Sequence, residues 1–240
     1  MGLSLAIWIQ NDFKNFQPQS QGLSIFRWPV VAMNPEAFAR VLHETEFARA
    51  QRFRFVADLN RYIVARGGLR YLLARYLNCH PHHVIFDYKD HGKPVLPQHD
   101  VQFNISHAGD WVLAVIAHGH AVGIDVEAWR EVACLSLAKR FFSESEYQAL
   151  LTLSDSALPA AFFHIWVQKE AFVKALGDGL QYGLEKFSVI APPGAGLSDP
   201  SLASQWQVKT LDMPMGYSAA YAVPAVQTAP VYQYQMAMDG

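Results

Sequence analysis

Apolar positions recur at helical spacing from Pro35 to about Phe55 and again from Asp58 to Leu77. This predicts helices after an initial strand near residues 3–9, with Asp58 as N-cap of the later helix. Gly67 and Gly68 lie inside that helix, where each costs about 1 kcal/mol relative to Ala, so close packing against another element is expected. From Val84 the pattern shortens to VIFDY, QFNIS, WVLAVIA and AVGIDVE, joined by the turn-like HGKP, HAGD and HGH. Such short runs read as an antiparallel meander. A helical middle follows from about Leu135 to Leu176, and strands return at KFSVIA, WQVKTL, YSAAYAV and VYQYQM. The order strand, helices, strands, helices, strands predicts an α+β protein of two halves, 1–118 and 119–240, with antiparallel sheets and packed helices. No sequence repeat between the halves is evident. The stretch 192–204, PPGAGLSDPSLAS, reads as a loop.

Composition narrows the classes. With 240 residues, 51% hydrophobic and 17% charged, the chain can bury a full core. The net charge of −2 does not imply wholesale nucleic-acid binding, so any electropositive site must be local. Two cysteines, Cys79 and Cys134, make no disulfide framework and fit a reducing cytoplasm. The first residues, MGLSLAIWIQNDF, have no basic region before their apolar stretch, and Ala6 stands where a myristoylation signal needs Ser or Thr. Apolar runs such as 111–117 are too short to cross a bilayer, so a cytoplasmic protein without membrane contact is expected.

Within AVGIDVEAW, 121–129, Asp125 and Glu127 stand two positions apart in a strand pattern and therefore share one face. Two anions side by side repel, and each pKa rises unless a cation or donors intervene. A positive group is expected there. On the helix ending near Gly177, Glu170 and Lys174 share one flank at i,i+4, a spacing that a surface ion pair also explains. Lys169 falls on the apolar stripe, where a lysine ordinarily snorkels to water. Ser143 and Glu146 have capping-box spacing.

Seven of the eleven arginines, Arg49, Arg52, Arg54, Arg61, Arg66, Arg70 and Arg75, lie in one lysine-free segment. Arginine's planar fork suits phosphate, and a solvated helix face is the plainer account of most of them. Ser106 and His107 are neighbours in FNISHAGDW and on a strand face opposite ways, which is wrong for a catalytic Ser/His pair, although His107 can donate to phosphate. Lys93, in HGKP, can join it. CHPHH, 79–83, lacks the ligand spacing of a closed zinc site, and neither a P-loop nor a G-x-S-x-G elbow occurs. The inventory, carboxylates beside lysines and arginines, suits Mg²⁺ with phosphates completing its shell, and points to phosphoryl transfer from a small molecule.

VGIDVE at 122–127 followed by WVQKEAFVK at 166–174 resembles the paired signature of the 4′-phosphopantetheinyl transferases, the long, Sfp-type group above all. GKP at 92–94, FNISH at 103–107 and KRFFSESEY at 139–147 add to the resemblance, which runs from about residue 46 to 190. It implies an enzyme that moves the phosphopantetheine arm of coenzyme A onto a serine of an apo acyl, peptidyl or aryl carrier protein and releases 3′,5′-ADP. It implies Mg²⁺, or Mn²⁺, on Asp125, Glu127 and Glu170, with Glu170 also taking the serine proton and Lys174 stabilising the leaving group.

By the same resemblance Lys93, Ser106, His107, Lys169, Arg61 and Arg49 would hold coenzyme A phosphates. Arg52 is the alternative to Arg49, because a family lysine position falls on Glu46. Glu146 matches an acidic family residue near the metal, which sets a metal-side role beside its capping role. The implied fold is a monomer of two similar α+β halves about a pseudo-twofold, with coenzyme A between them and carrier docking around Ala128 to Lys139. The rival readings are an Mg²⁺-dependent hydrolase of coenzyme A or another nucleotide, a non-catalytic carrier-binding module and an RNA-binding protein.

Overall fold

A computed structural model of the chain describes residues 8–88, 92–177, 182–226 and 230–238. Among them run ten strands and seven α-helices, a mixed α/β architecture. The first part of the chain contributes β1 (Ile9–Asp12), β2 (Leu23–Pro29), α1 (Pro35–Ala39), α2 (Glu44–Ala50), α3 (Val56–Leu77), the short pair β3 (Asp87–Tyr88) and β4 (Pro94–Val95), then β5 (Val101–Ala108) and β6 (Trp111–His118). The second contributes β7 (Gly123–Ala128), α4 (Cys134–Phe141), α5 (Glu144–Leu151), α6 (Leu158–Leu176), α7 (Pro200–Gln205), β8 (Trp206–Thr210), β9 (Tyr217–Pro224) and β10 (Val231–Ala237).

Two sheets lie back to back between two long helices. A five-stranded sheet has the order β1-β10-β2-β6-β5, and a three-stranded sheet the order β7-β9-β8. Phe26 and Trp28 of β2 with Val112, Ala114 and Ile116 of β6 join the α3 residues Leu69, Leu72 and Leu73 in one core. Their strand neighbours Leu23, Ile25, Leu113 and Val115 turn the other way and pack on Ile124 and Val126 of β7 and Tyr221 of β9. The opposite face of the smaller sheet, with Val208, Ala220 and Ala222, packs on Phe162, Phe172 and Val173 of α6. The run WVLAVIA is continuously apolar because both faces of β6 are covered.

Several expectations change. The sheets are not purely antiparallel: β10 runs parallel to both β1 and β2, so a strand from the far end of the chain completes the first sheet. Most of the strand expected near 3–9 lies outside the described residues, and β1 begins at Ile9. The segment read as the helical amino-terminal third also holds β2, whose two buried faces hide any alternation. The stretch 35–55 is two helices: Asn34 caps α1 by accepting the Glu36 N–H, and His43 caps α2 with Glu46 closing a capping box. Helix α3 starts at Val56 with Phe55 at its N-cap, and Asp58 instead pairs with Arg61 in the first turn at 2.7 Å. KFSVIA forms only an isolated bridge from Val189 to Leu197, and on its other edge the Val189 N–H is given to Glu146 Oε1 at 2.7 Å. The HGKP turn is described only from Gly92.

The glycines of α3 fulfil the packing expectation. A Cβ on Gly67 would lie 2.6 Å from Phe38 Cβ, and one on Gly68 would lie 2.7 Å from Trp28 Cζ2. Gly177, with φ 88°, ends α6 in the left-handed conformation.

Candidate active site

Strand β7 alternates between two environments: Ile124 and Val126 enter the inter-sheet core, while Gly123, Asp125 and Glu127 take the opposite face, toward α6. Gly123 allows the helix backbone to close on the strand, since a Cβ there would sit 2.0 Å from Ala171 O and 2.4 Å from Ala175 N. That approach sets Asp125 and Glu127 beside Glu170 and Lys174. Asp125 is buried, and its Oδ1 accepts from Lys174 Nζ at 2.6 Å and from the Ser106 hydroxyl at 2.8 Å. Lys174 Nζ also donates to Ser106 Oγ at 3.1 Å and to Ile124 O at 3.3 Å. Asp125 Oδ2 is buried with no hydrogen-bond partner among the described residues. Strand β5 is stitched to β7 by Ser106 and by Asn104, whose Oδ1 accepts the Ile124 N–H at 2.9 Å.

The acids strain one another electrostatically. Burial pushes the Glu170 carboxyl above its ordinary pKa, and the Asp125 and Glu127 charges push further against the pull of Lys174. Glu127 is raised first by burial and then by Asp125, against its hydrogen bond from Arg130 Nη1, 2.6 Å from Glu127 Oε2. The cations demanded by the strand carboxylates are therefore Lys174 on Asp125 and Arg130 on Glu127. Arg130 was not legible in the sequence, because i,i+3 spacing carries no meaning where a strand runs into a turn.

As they stand, no three His, Cys, Asp or Glu among the described residues are gathered closely enough to hold a metal, the 79–83 cluster included. The donor chemistry nevertheless fits a hard divalent cation. Asp125 offers an unpartnered buried oxygen, and two neighbouring carboxyls have pKa values raised by burial and by the charge of their acidic neighbours.

The basic groups divide into those near the acids and those used elsewhere. Arg61 Nε donates to Gly109 O at 2.7 Å, at the turn after β5. His107, at the exposed end of β5, has its pKa lowered by desolvation of its ring and then by the Arg61 and Lys174 charges. Lys93 Nζ donates to Lys174 O at 2.6 Å and to Val122 O at 3.4 Å, tying the turn before β4 to the end of α6. Arg49 and Arg52 are exposed and, with Thr45, Ala48 and Phe53, line a groove of about 720 Å³.

Lys169, expected at a phosphate, is instead wholly buried. Its Nζ pairs with Glu146 Oε2 at 2.8 Å and donates to Leu184 O and Phe187 O, which uses all three protons. Glu146 is likewise committed: Oε2 accepts the Ser143 N–H at 2.8 Å and Oε1 the Val189 N–H, so its role is to cap and to pair. Of the arginine segment, Arg66 and Arg70 share the buried Glu46 as ion-pair partner, Arg70 Nε lying 2.6 Å from Oε2, and Arg75 donates to Phe16 O. The lysine-free bias is thus partly structural, since guanidinium forks reach several buried acceptors at once.

Residues 27–119 match the family described as 4′-phosphopantetheinyl transferase, N-terminal, and residues 121–222 the 4′-phosphopantetheinyl transferase superfamily. The 4′-phosphopantetheinyl transferase Sfp of Bacillus subtilis is 31% identical over 80% of this chain and 86% of its own length. The chain belongs to the 4′-phosphopantetheinyl transferases. HetI of Nostoc, a 4′-phosphopantetheinyl transferase, is 38% identical over 69% of this chain and 73% of its own, and psf-1 of Bacillus pumilus, named likewise, is 36% identical over 78% and 74%. These relatives place the transferase in the Sfp-type group. In this transferase Asp125, Glu127, Glu170, Lys174, Ser106, His107 and Arg61 are drawn together, Lys93 braces them, Arg49 stands apart at the groove, and Lys169 is withdrawn into the core.

Proposed function

We propose that the enzyme transfers the 4′-phosphopantetheine arm of coenzyme A to a serine of an apo carrier protein, releasing 3′,5′-ADP, with Mg²⁺ held by Asp125, Glu127 and Glu170. The observation that carries this reading is the unpartnered buried oxygen of Asp125 beside two carboxyls of raised pKa, bordered by Lys174, His107 and Arg61. A bound Mg²⁺ would supply charge neutralisation to the pyrophosphate of coenzyme A.

The chain's own groups do the rest. Glu170, its pKa raised by burial and by its acidic neighbours, accepts the serine proton as the serine oxygen attacks the phosphorus nearer the pantetheine. The pyrophosphate bond breaks, and 3′,5′-ADP leaves with its new negative charge facing Lys174. Ser106, His107 and Arg61 hold phosphate oxygens, Arg49 extends the grip along the groove, and Lys93 fixes the end of α6. No covalent enzyme intermediate is needed, so catalysis rests on alignment and charge.

The division into halves at 118/119 and their pseudo-twofold relation form part of the same reading. The two family matches abut at 119–121. Glu46 and Glu146, 100 positions apart by their numbers, each close a capping box and each pair with a buried base on the next long helix, Arg70 on α3 and Lys169 on α6. The enzyme acts as a monomer, and the carrier docks around Ala128 to Lys139, beside the acids. A cytoplasmic site of action belongs to the same reading. No helix among the described residues is long and apolar enough to cross a membrane.

The test is release of 3′,5′-ADP from coenzyme A. Release that requires both apo carrier and Mg²⁺ is expected; release without carrier would replace the transferase reading with a hydrolase.

A further inference from the structure

Glu127 already holds a cation in this structure. Arg130 Nη1 lies 2.6 Å from its Oε2 and donates to Ala128 O at 3.3 Å, and the guanidinium carbon stands 5.3 Å over the Phe163 ring of α6. The guanidinium is thus positioned at three points although the side chain is 57% exposed. Glu127 needs such a partner, since it is desolvated and faces the Asp125 charge, with Lys174 as the other nearby cation.

We propose that Arg130 is a positioning residue that competes with the divalent cation for Glu127. The inference rests on the reading of Glu127 as a metal ligand. A metal ion entering the site must take Oε2 from Arg130 and settle close to a second positive charge, and both requirements lower its affinity. Arg130 keeps the Glu127 carboxylate neutralised while no metal is present, and the metal site forms at the cost of that pair. Lys174 differs in kind, being bonded to Ser106 and Ile124 O as well as to Asp125.

The experiment is titration of the full chain with Mn²⁺ alone, followed by electron paramagnetic resonance, for wild type, Arg130→Gln and Arg140→Gln. Arg140 is an exposed arginine over Phe141, so its variant removes the same charge without touching an acid. Arg130→Gln is expected to bind Mn²⁺ roughly two- to fivefold tighter than wild type, the range of a partly exposed ion pair, with Arg140→Gln unchanged. Unchanged or weaker binding by Arg130→Gln, beside measurable binding by wild type, overturns the competition and leaves the metal site standing. Equal tightening in both variants also overturns it, in favour of general charge. No Mn²⁺ bound by any of the three, even with coenzyme A present, defeats the metal reading itself.

Discussion

At Asp125 one carboxylate oxygen is taken by Lys174 and Ser106 and the other is buried without a partner among the described residues. Asp125→Asn and Glu170→Gln are each expected to lower transfer by at least ~10²-fold, the order seen when a preorganised charge is removed. Their melting temperatures should stay within a few degrees of wild type, so a rate assay paired with thermal denaturation separates site from fold. Glu146 makes the converse case: Glu146→Ala strands Lys169 as an unpaired buried charge and should cost about 3–5 kcal/mol in denaturant unfolding. The folded fraction should remain active, and normal stability with lost activity would return Glu146 to the metal. At this scale spacing showed that Asp125 and Glu127 share a strand face and Glu170 and Lys174 a helix flank, while only the family resemblance implied that the two groups meet. The burial of Lys169 was not, because the carbonyls and acid that satisfy it come from α5 and from the segment after α6.

Two elements, β7 and α6, make the site by lying in backbone contact. Gly123→Ala would drive a Cβ into Ala171 O and push the strand from the helix. Overpacking of this kind costs about 1–3 kcal/mol, and here it should also lower turnover by separating Asp125 from Lys174. Unaltered kinetics in a stably folded Gly123→Ala would show that the close approach is dispensable.

The α2–α3 junction predicts a pH dependence. Burial works to raise the Glu46 pKa, but the Arg66 cation and hydrogen bonds from Arg70, the His43 N–H and Arg66 bring it below its ordinary value. That contribution is complete above the unfolded pKa of about 4.3 and is lost as pH falls through the depressed folded value. Acid unfolding should therefore steepen below about pH 4 in wild type and less so in Glu46→Gln, as read by circular dichroism. Helix α6 and its glycine stop were readable from periodicity. Strand β2 was not, since a strand buried on both faces loses its alternation.

The whole molecule stacks α3, the five-stranded sheet, the three-stranded sheet and α6, and this order sets β5 and its turns against β7 and α6. The alternation of strand and helix segments could be read from hydrophobic texture. The return of β10 to the first sheet could not, because strand pairing over more than 200 residues leaves no local signature. Both long helices are held by a capping-box glutamate paired to a buried base, a correspondence hidden because the bases differ, Arg70 and Lys169.

The central claim is that the acids between β7 and α6 move phosphopantetheine from coenzyme A to a carrier. Intact-mass spectrometry of an apo carrier protein, incubated with coenzyme A, Mg²⁺ and either wild type or Glu170→Gln, tests it most directly. A gain of one phosphopantetheine with wild type, absent with Glu170→Gln and absent when the metal is chelated, is the predicted result. An equal gain with Glu170→Gln, or a gain that survives chelation, would contradict it.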